Sequence, residues 1–106
     1  MEEKATLFLF LDDLRQPPEG AVCCRIAKEA LRWLETGQVT HISFDHDLGT
    51  TLTGYDVAKR IEQWVMEGKI PLPSWEVHSA NPVGRQNIEA AMRSAERWCN
   101  RDTNNL

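Results

Sequence analysis

No stretch of this sequence stays apolar for eighteen residues, so nothing in it is read as crossing a membrane. Cysteine is scarce. Cys23, Cys24 and Cys99 make an odd count, and two adjacent cysteines on a strand point to opposite faces, which suits neither a disulfide framework nor a CxxC zinc site. Reduced and mostly buried thiols are expected. Basic residues are in deficit, 12 Lys and Arg against 16 Asp and Glu, for a formal net charge of -4. That balance argues against an extended nucleic-acid surface, which needs many clustered cations to neutralise phosphates. It leaves room for one phosphate in a local pocket. The start Met1-Glu2-Glu3-Lys4 lacks the basic region and apolar segment of a secretory signal, so a cytoplasmic location is the expectation. There is no internal repeat and no low-complexity segment.

What is present is an ordinary globular composition, 42% hydrophobic and 26% charged over 106 residues. This length holds one domain, residues 1–106, with a core over about 5–99 and a polar tail at 100–106 expected to fray. Thr6 to Leu11 is an uninterrupted apolar run and reads as a strand covered on both faces. Pro17 and Pro18 leave no room for an ordinary helix before the second strand, Ala21 to Ile26. Ala27, Ala30, Leu31 and Leu34 recur at helical spacing and predict a helix over Ala27 to Glu35, stopped by Gly37. A third strand follows from Val39 to Phe44. Thr53 and Asp56 have capping-box spacing ahead of the stripe Val57, Ala58, Ile61, Trp64 and Val65, which ends near Gly68. After Pro71 and Pro73 comes a fourth strand, Trp75 to Val77. Asn81-Pro82 then starts a helix with Ile88, Ala91, Met92, Ala95, Trp98 and Cys99 as its buried stripe. The order predicts a mostly parallel four-stranded sheet with helices on its faces.

Three of these strands run into polar clusters. Asp12 and Asp13 follow the first, Asp45, His46 and Asp47 the third, and His78, Ser79 and Asn81 the fourth. The carboxyl ends of parallel strands face the crevice where ligands bind. Four carboxylates gathered there are unfavourable without a compensating cation, and oxygen donors suit Mg²⁺, with Mn²⁺ as the alternative. The candidate metal set is therefore Asp12, Asp13, Asp45 and Asp47, with Asp47 as readily a solvated loop acid. His46 lies between two carboxylates and either transfers protons or points away from both. Ser79 to Arg85 spans a helix start, where free N–H groups and the dipole favour an anion, so Ser79, Asn81, Gly84 and Arg85 are candidate phosphate contacts. The plainer reading is that Ser79 and Asn81 only cap the helix and Arg85 is solvated.

The segments Leu11-Asp12-Asp13-Leu14-Arg15, Phe44-Asp45-His46-Asp47-Leu48-Gly49, Thr53-Gly54-Tyr55-Asp56 and Val77-His78-Ser79-Ala80-Asn81-Pro82-Val83-Gly84-Arg85 together resemble the cyclic-phosphate processing receiver family. This family is a divergent relative of response-regulator receivers. The resemblance implies an α/β receiver-like (flavodoxin-like) three-layer sandwich, reduced here to four strands and about three helices. From ordinary receivers it implies Mg²⁺ on Asp13 and Asp45, assistance from Asp12 through the metal's waters, a phosphoryl group on Asp45 and a contact from Ser79. The chain departs from receivers in having no lysine beyond Lys69, too few residues for a fifth strand and its helix, and the Pro17-Pro18 loop in place of the first helix.

These departures point away from signalling toward chemistry. The leading expectation is a divalent-metal-dependent phosphoesterase-like enzyme that processes a cyclic phosphate on a small molecule or an RNA terminus, with a protein partner left open. His78 would carry a proton, Asp45 and Ser79 would act at the reacting phosphoryl group, and Asn81 and Arg85 would stabilise its charge. The alternatives are a signalling module phosphorylated on Asp45 and a non-catalytic interaction domain.

Overall fold

The computed structural model describes residues 6–104. Within them the chain runs β1 (Phe8–Leu11), β2 (Val22–Cys24), α1 (Ala27–Glu35), β3 (His41–Phe44), α2 (Gly54–Met66), β4 (Ser74–Val77) and α3 (Pro82–Asn104). The strands form one sheet in the order β2-β1-β3-β4, and every pair is parallel. This is the receiver-like α/β arrangement of four strands and three helices that the sequence suggested. No helix among the described residues is long and apolar enough to cross a membrane.

The helices start where local chemistry directs. Thr53 caps α2 by accepting from the Asp56 N–H while the Asp56 carboxylate accepts from the Thr53 N–H, the reciprocal box that its sequence spacing predicts. β1, β2 and β3 are shorter than expected, while β4 begins one residue earlier, at Ser74. Beyond their ends Leu7 and Thr40 still join β1 to β3: the Thr40 N–H donates to the Leu7 C=O at 2.9 Å, and the Thr40 hydroxyl accepts the Leu7 N–H at 2.9 Å. Ile26, expected inside β2, is instead the extended residue immediately before α1.

At the other extreme α3 is longer than expected. Asn100 to Asn104, predicted to fray, continue the helix, because neither glycine nor proline interrupts the chain after Gly84. Cys99, predicted to be buried, is exposed, and Trp98 is half-buried against the core. A 23-residue helix spans about 34 Å, whereas a four-residue strand spans about 13 Å, so α3 outruns the sheet it packs on. Cys24 lies in the core, where burial first, then Glu29 and Cys23, push its thiol up to about 12.

The layering follows from topology. The crossovers β2-α1-β3 and β3-α2-β4 step across the sheet in the same direction, and right-handed connections then put α1 and α2 on the same face. Only β1 to β2 steps the other way, and that connection is the Pro17-Pro18 loop. Accordingly the buried residues of all three helices join one cluster with Leu9, Leu11, Ile42, Phe44 and Val77. Among the described residues the helices of this receiver-like fold thus pack on one face of the sheet, and the shortest extent is 18 Å. The other sheet face carries Phe8, Phe10, His41, Ser43 and Glu76 without a helix over it.

Candidate functional site

Leu11, Phe44 and Val77 are the last register partners across β1, β3 and β4, and all three point into the core. The next residues along each strand are Asp12, Asp45 and His78. Backbone bonds carry the ladder one step further: Asp45 N–H donates to Leu11 C=O at 2.8 Å and His78 N–H to Phe44 C=O at 2.9 Å. Because side chains alternate, this row projects from the face opposite the core, the face of Phe10, Ser43 and Glu76. The three side chains converge, each offering one ligand atom within 4.8 Å of the others.

Asp12 is 1% exposed, which a carboxylate tolerates only when its oxygens are satisfied. Its Oδ1 accepts the backbone N–H groups of Leu14 and Arg15, both at 2.8 Å, and its Oδ2 accepts from Arg15 Nη1 at 3.4 Å and faces His78 Nε2 at 2.9 Å. Burial alone would raise the Asp12 carboxyl, but the Arg15 and Leu14 N–H groups with His78 outweigh it and hold the group below the ordinary carboxylate range. Arg15 also donates to the His78 carbonyl at 2.9 Å, while Arg25 Nη1 donates to the carbonyls of Asp12 and Arg15. Two guanidinium groups therefore brace the turn that presents Asp12.

The His78 ring is fixed on every side. It stacks on Phe10 with ring centroids 4.6 Å apart and planes 4° from parallel, and its Nδ1 lies 2.6 Å from the Ser43 hydroxyl. Ser43 is 1% exposed and reaches Glu76 Oε1 at 3.4 Å, and the other oxygen of Glu76 pairs with His41 Nε2 at 3.2 Å. Asp45 is half-buried, with its Oδ1 accepting the His46 N–H at 2.8 Å. Gly54 lets the start of α2 lie against this residue, since a Cβ at position 54 would collide with the Asp45 carbonyl oxygen.

The family model of the cyclic-phosphate processing receiver domain matches residues 7–94, a span that contains all of these residues. The chain belongs to that family. No curated protein and no solved structure matches it.

Not every expected residue of this receiver domain joins the row. Asp13 lies beyond the end of β1 and reaches the β3–α2 loop, where a Cβ on Gly49 would stand 3.3 Å from its Oδ2. Asp47 is 67% exposed; its hydrogen bonds from His46, at 2.9 Å, and then Asn81, at 3.4 Å, hold its carboxyl below the ordinary range. His46 therefore neither points away from Asp47 nor enters the row, because β3 has already ended at Phe44. Its ring lies against Gly84, where a Cβ would strike it.

The expected phosphate contacts have partners within the chain. Asn81 Oδ1 accepts the Gly84 N–H at 3.0 Å and the buried Ser79 hydroxyl accepts the Asn81 N–H at 3.1 Å, so Ser79 and Asn81 cap α3. Arg85 pairs along the helix with Glu89 at 3.5 Å. Sequence reasoning passed over Phe10, Ser43 and Glu76. Parity was the available signal: these are the residues two before Asp12, Asp45 and His78, and the latter two are polar.

Proposed function

We propose that this receiver domain is a divalent-cation-dependent phosphoesterase acting on a cyclic phosphate. The observation that carries the proposal is the convergence of Asp12, Asp45 and His78 from three adjacent strands. Two carboxylates and an imidazole are a chemically suitable donor set, and the nitrogen favours Mn²⁺ over Mg²⁺, which takes oxygen donors. Asp12, Asp45 and His78 would hold the ion, each through one ligand atom. A cation bound there polarises a phosphoryl oxygen and lowers the pKa of bound water.

The remaining roles belong to the chain. Arg15, with its side chain half exposed beside Asp12, offers a guanidinium to the phosphate, a contact the sequence had suggested for Arg85. Asp13 and Asp47 lie at the β3–α2 loop, outside the row. Ser79 and Asn81 hold the turn that carries His78 into α3. The imidazole in the row, and the lack of the receiver lysine beyond Lys69, favour this reading over phospho-signalling.

The test is turnover of a nucleoside 2′,3′-cyclic phosphate with Mn²⁺, comparing wild type with Asp45→Asn and His78→Gln. Both variants should lose about 10²–10⁴-fold in rate, the range for a positioned group at the reacting centre. A stable phosphoryl adduct from acetyl phosphate, lost in Asp45→Ala, would replace this reading with signalling. Absence of both turnover and adduct would leave the domain an interaction module.

A further inference from the structure

His78 presents Nε2 to Asp12 and Nδ1 to Ser43, and each nitrogen faces a group whose hydrogen-bonding capacity is restricted. Asp12 is a carboxylate whose Oδ1 already accepts two backbone N–H groups, and at Oδ2 it can only accept. Ser43 is different because a hydroxyl both donates and accepts. It is buried between two partners on its own sheet face, His78 Nδ1 at 2.6 Å and Glu76 Oε1 at 3.4 Å, and it has one proton to give.

With one proton on the ring and one on Ser43, two arrangements are open to the row, and each fills two of the three contacts. In the first, Nε2 carries the imidazole proton and donates it to Asp12, while the Ser43 hydroxyl donates to Nδ1 and gives up its 3.4 Å bond to Glu76. In the second, Nδ1 carries the proton and donates to Ser43, whose hydroxyl turns to donate to Glu76. The second arrangement leaves a lone pair on Nε2 facing the Asp12 carboxylate across 2.9 Å, which is repulsive unless a cation lies between them. A metal-bound histidine commonly donates its other N–H to an acceptor anchored by a carboxylate.

We infer that Ser43, with Glu76 behind it, is the positioning pair that sets the tautomer of His78 and lets it change when a cation binds. The inference rests on the cation site proposed above and adds to it residues that lie outside that site. Phe10 completes the device by holding the ring plane, so that changing the tautomer requires only that the Ser43 hydroxyl rotate and not that the ring turn. Glu76 is the acceptor that makes the second arrangement available. Because its side chain is 61% exposed, it can be altered without opening the core. Its second oxygen, held by His41, keeps the first directed at Ser43.

The experiment is ¹⁵N NMR of the His78 ring in the full chain, with and without Zn²⁺, a diamagnetic probe that accepts imidazole and carboxylate donors, alongside calorimetric titration with Mn²⁺. Wild type should carry its proton on Nε2 without cation and on Nδ1 with it. Ser43→Ala should move the cation-free Nδ1 resonance toward that of a nitrogen accepting no hydrogen bond and weaken Mn²⁺ binding about 10–100-fold, the usual loss when such a supporting partner is removed. Glu76→Ala should weaken binding in the same direction and hold the proton on Nε2, and Ser43→Thr, which restores a hydroxyl, should recover affinity. A His78 spectrum and Mn²⁺ affinity unchanged by Ser43→Ala, whatever its melting temperature, would overturn the inference. A wild type with no cation response would instead overturn the cation site, and the cation-free Nδ1 resonance would still report whether Ser43 donates to it.

Discussion

His78 Nε2 lies 2.9 Å from Asp12 Oδ2 although 66 residues separate them in the chain. Parallel pairing of β1 and β4 on either side of β3 brings them into one row, and the turn Asp12 to Arg15 braces the contact from below.

Asp12 has a structural task distinct from its charge. Asp12→Asn keeps an oxygen for the Leu14 and Arg15 N–H groups, whereas Asp12→Ala leaves both without that acceptor. Alanine should therefore cost about 1–3 kcal/mol in urea unfolding, with asparagine costing less. Both should abolish the response to Mn²⁺. Equal losses in the two variants would mean that the turn does not depend on this acceptor.

The depressed Asp12 carboxyl also predicts the acid limb of stability. Its folded-state pKa is below its unfolded value, so the folded state binds fewer protons and stability should be lost as pH falls below about 4. The contribution is fully present at neutral pH. Asp12→Asn, which does not titrate, should show a shallower fall over the same window, as read from urea midpoints at successive pH values. Parallel curves for the two proteins would remove Asp12 as the cause.

Cation binding should stabilise the fold by mass action, by about 2.7 kcal/mol at a hundredfold excess over the dissociation constant. Asp45→Asn should eliminate that rise yet match wild type in EDTA, because asparagine can still accept the His46 N–H and relieves repulsion with Asp12. Thermal melting with and without Mn²⁺ measures this. A wild-type melting temperature indifferent to Mn²⁺ and Mg²⁺ would end the cation reading.

The two close-packed glycines should differ in how they can be rescued. A Cβ at Gly84 meets the His46 ring, a side chain that can be removed, while a Cβ at Gly54 meets the backbone of Asp45. Gly84→Ala and Gly54→Ala should each cost about 1–3 kcal/mol. Adding His46→Ala should recover most of the first loss and none of the second, a non-additivity that a double-mutant cycle reads directly. Recovery in neither case would mean that the Gly84 loss has another source.

The elements and the family were legible in the sequence because their signals are local. Helical spacing marked Ala27, Ala30 and Leu34, the Thr53–Asp56 box marked the start of α2, and polar residues after apolar runs marked the strand ends at Asp12, Asp45 and His78. Helix length was less legible, since a polar tail without glycine or proline does not announce whether it stays helical. Membership of the site depended on tertiary structure. Adjacent acids look alike in sequence, yet Asp12 joins Asp45 and His78 while Asp13 reaches Gly49 in the β3–α2 loop, and the end of β3 at Phe44 releases Asp47 to pair with His46 and Asn81. The phosphate candidates Asn81 and Gly84 satisfy each other at the head of α3, while Arg15 reaches the row from a turn that only the packed sheet brings near His78. Register across three parallel strands put Ser43 beside both His78 and Glu76, a relation fixed by long-range pairing and absent from any local stretch of chain.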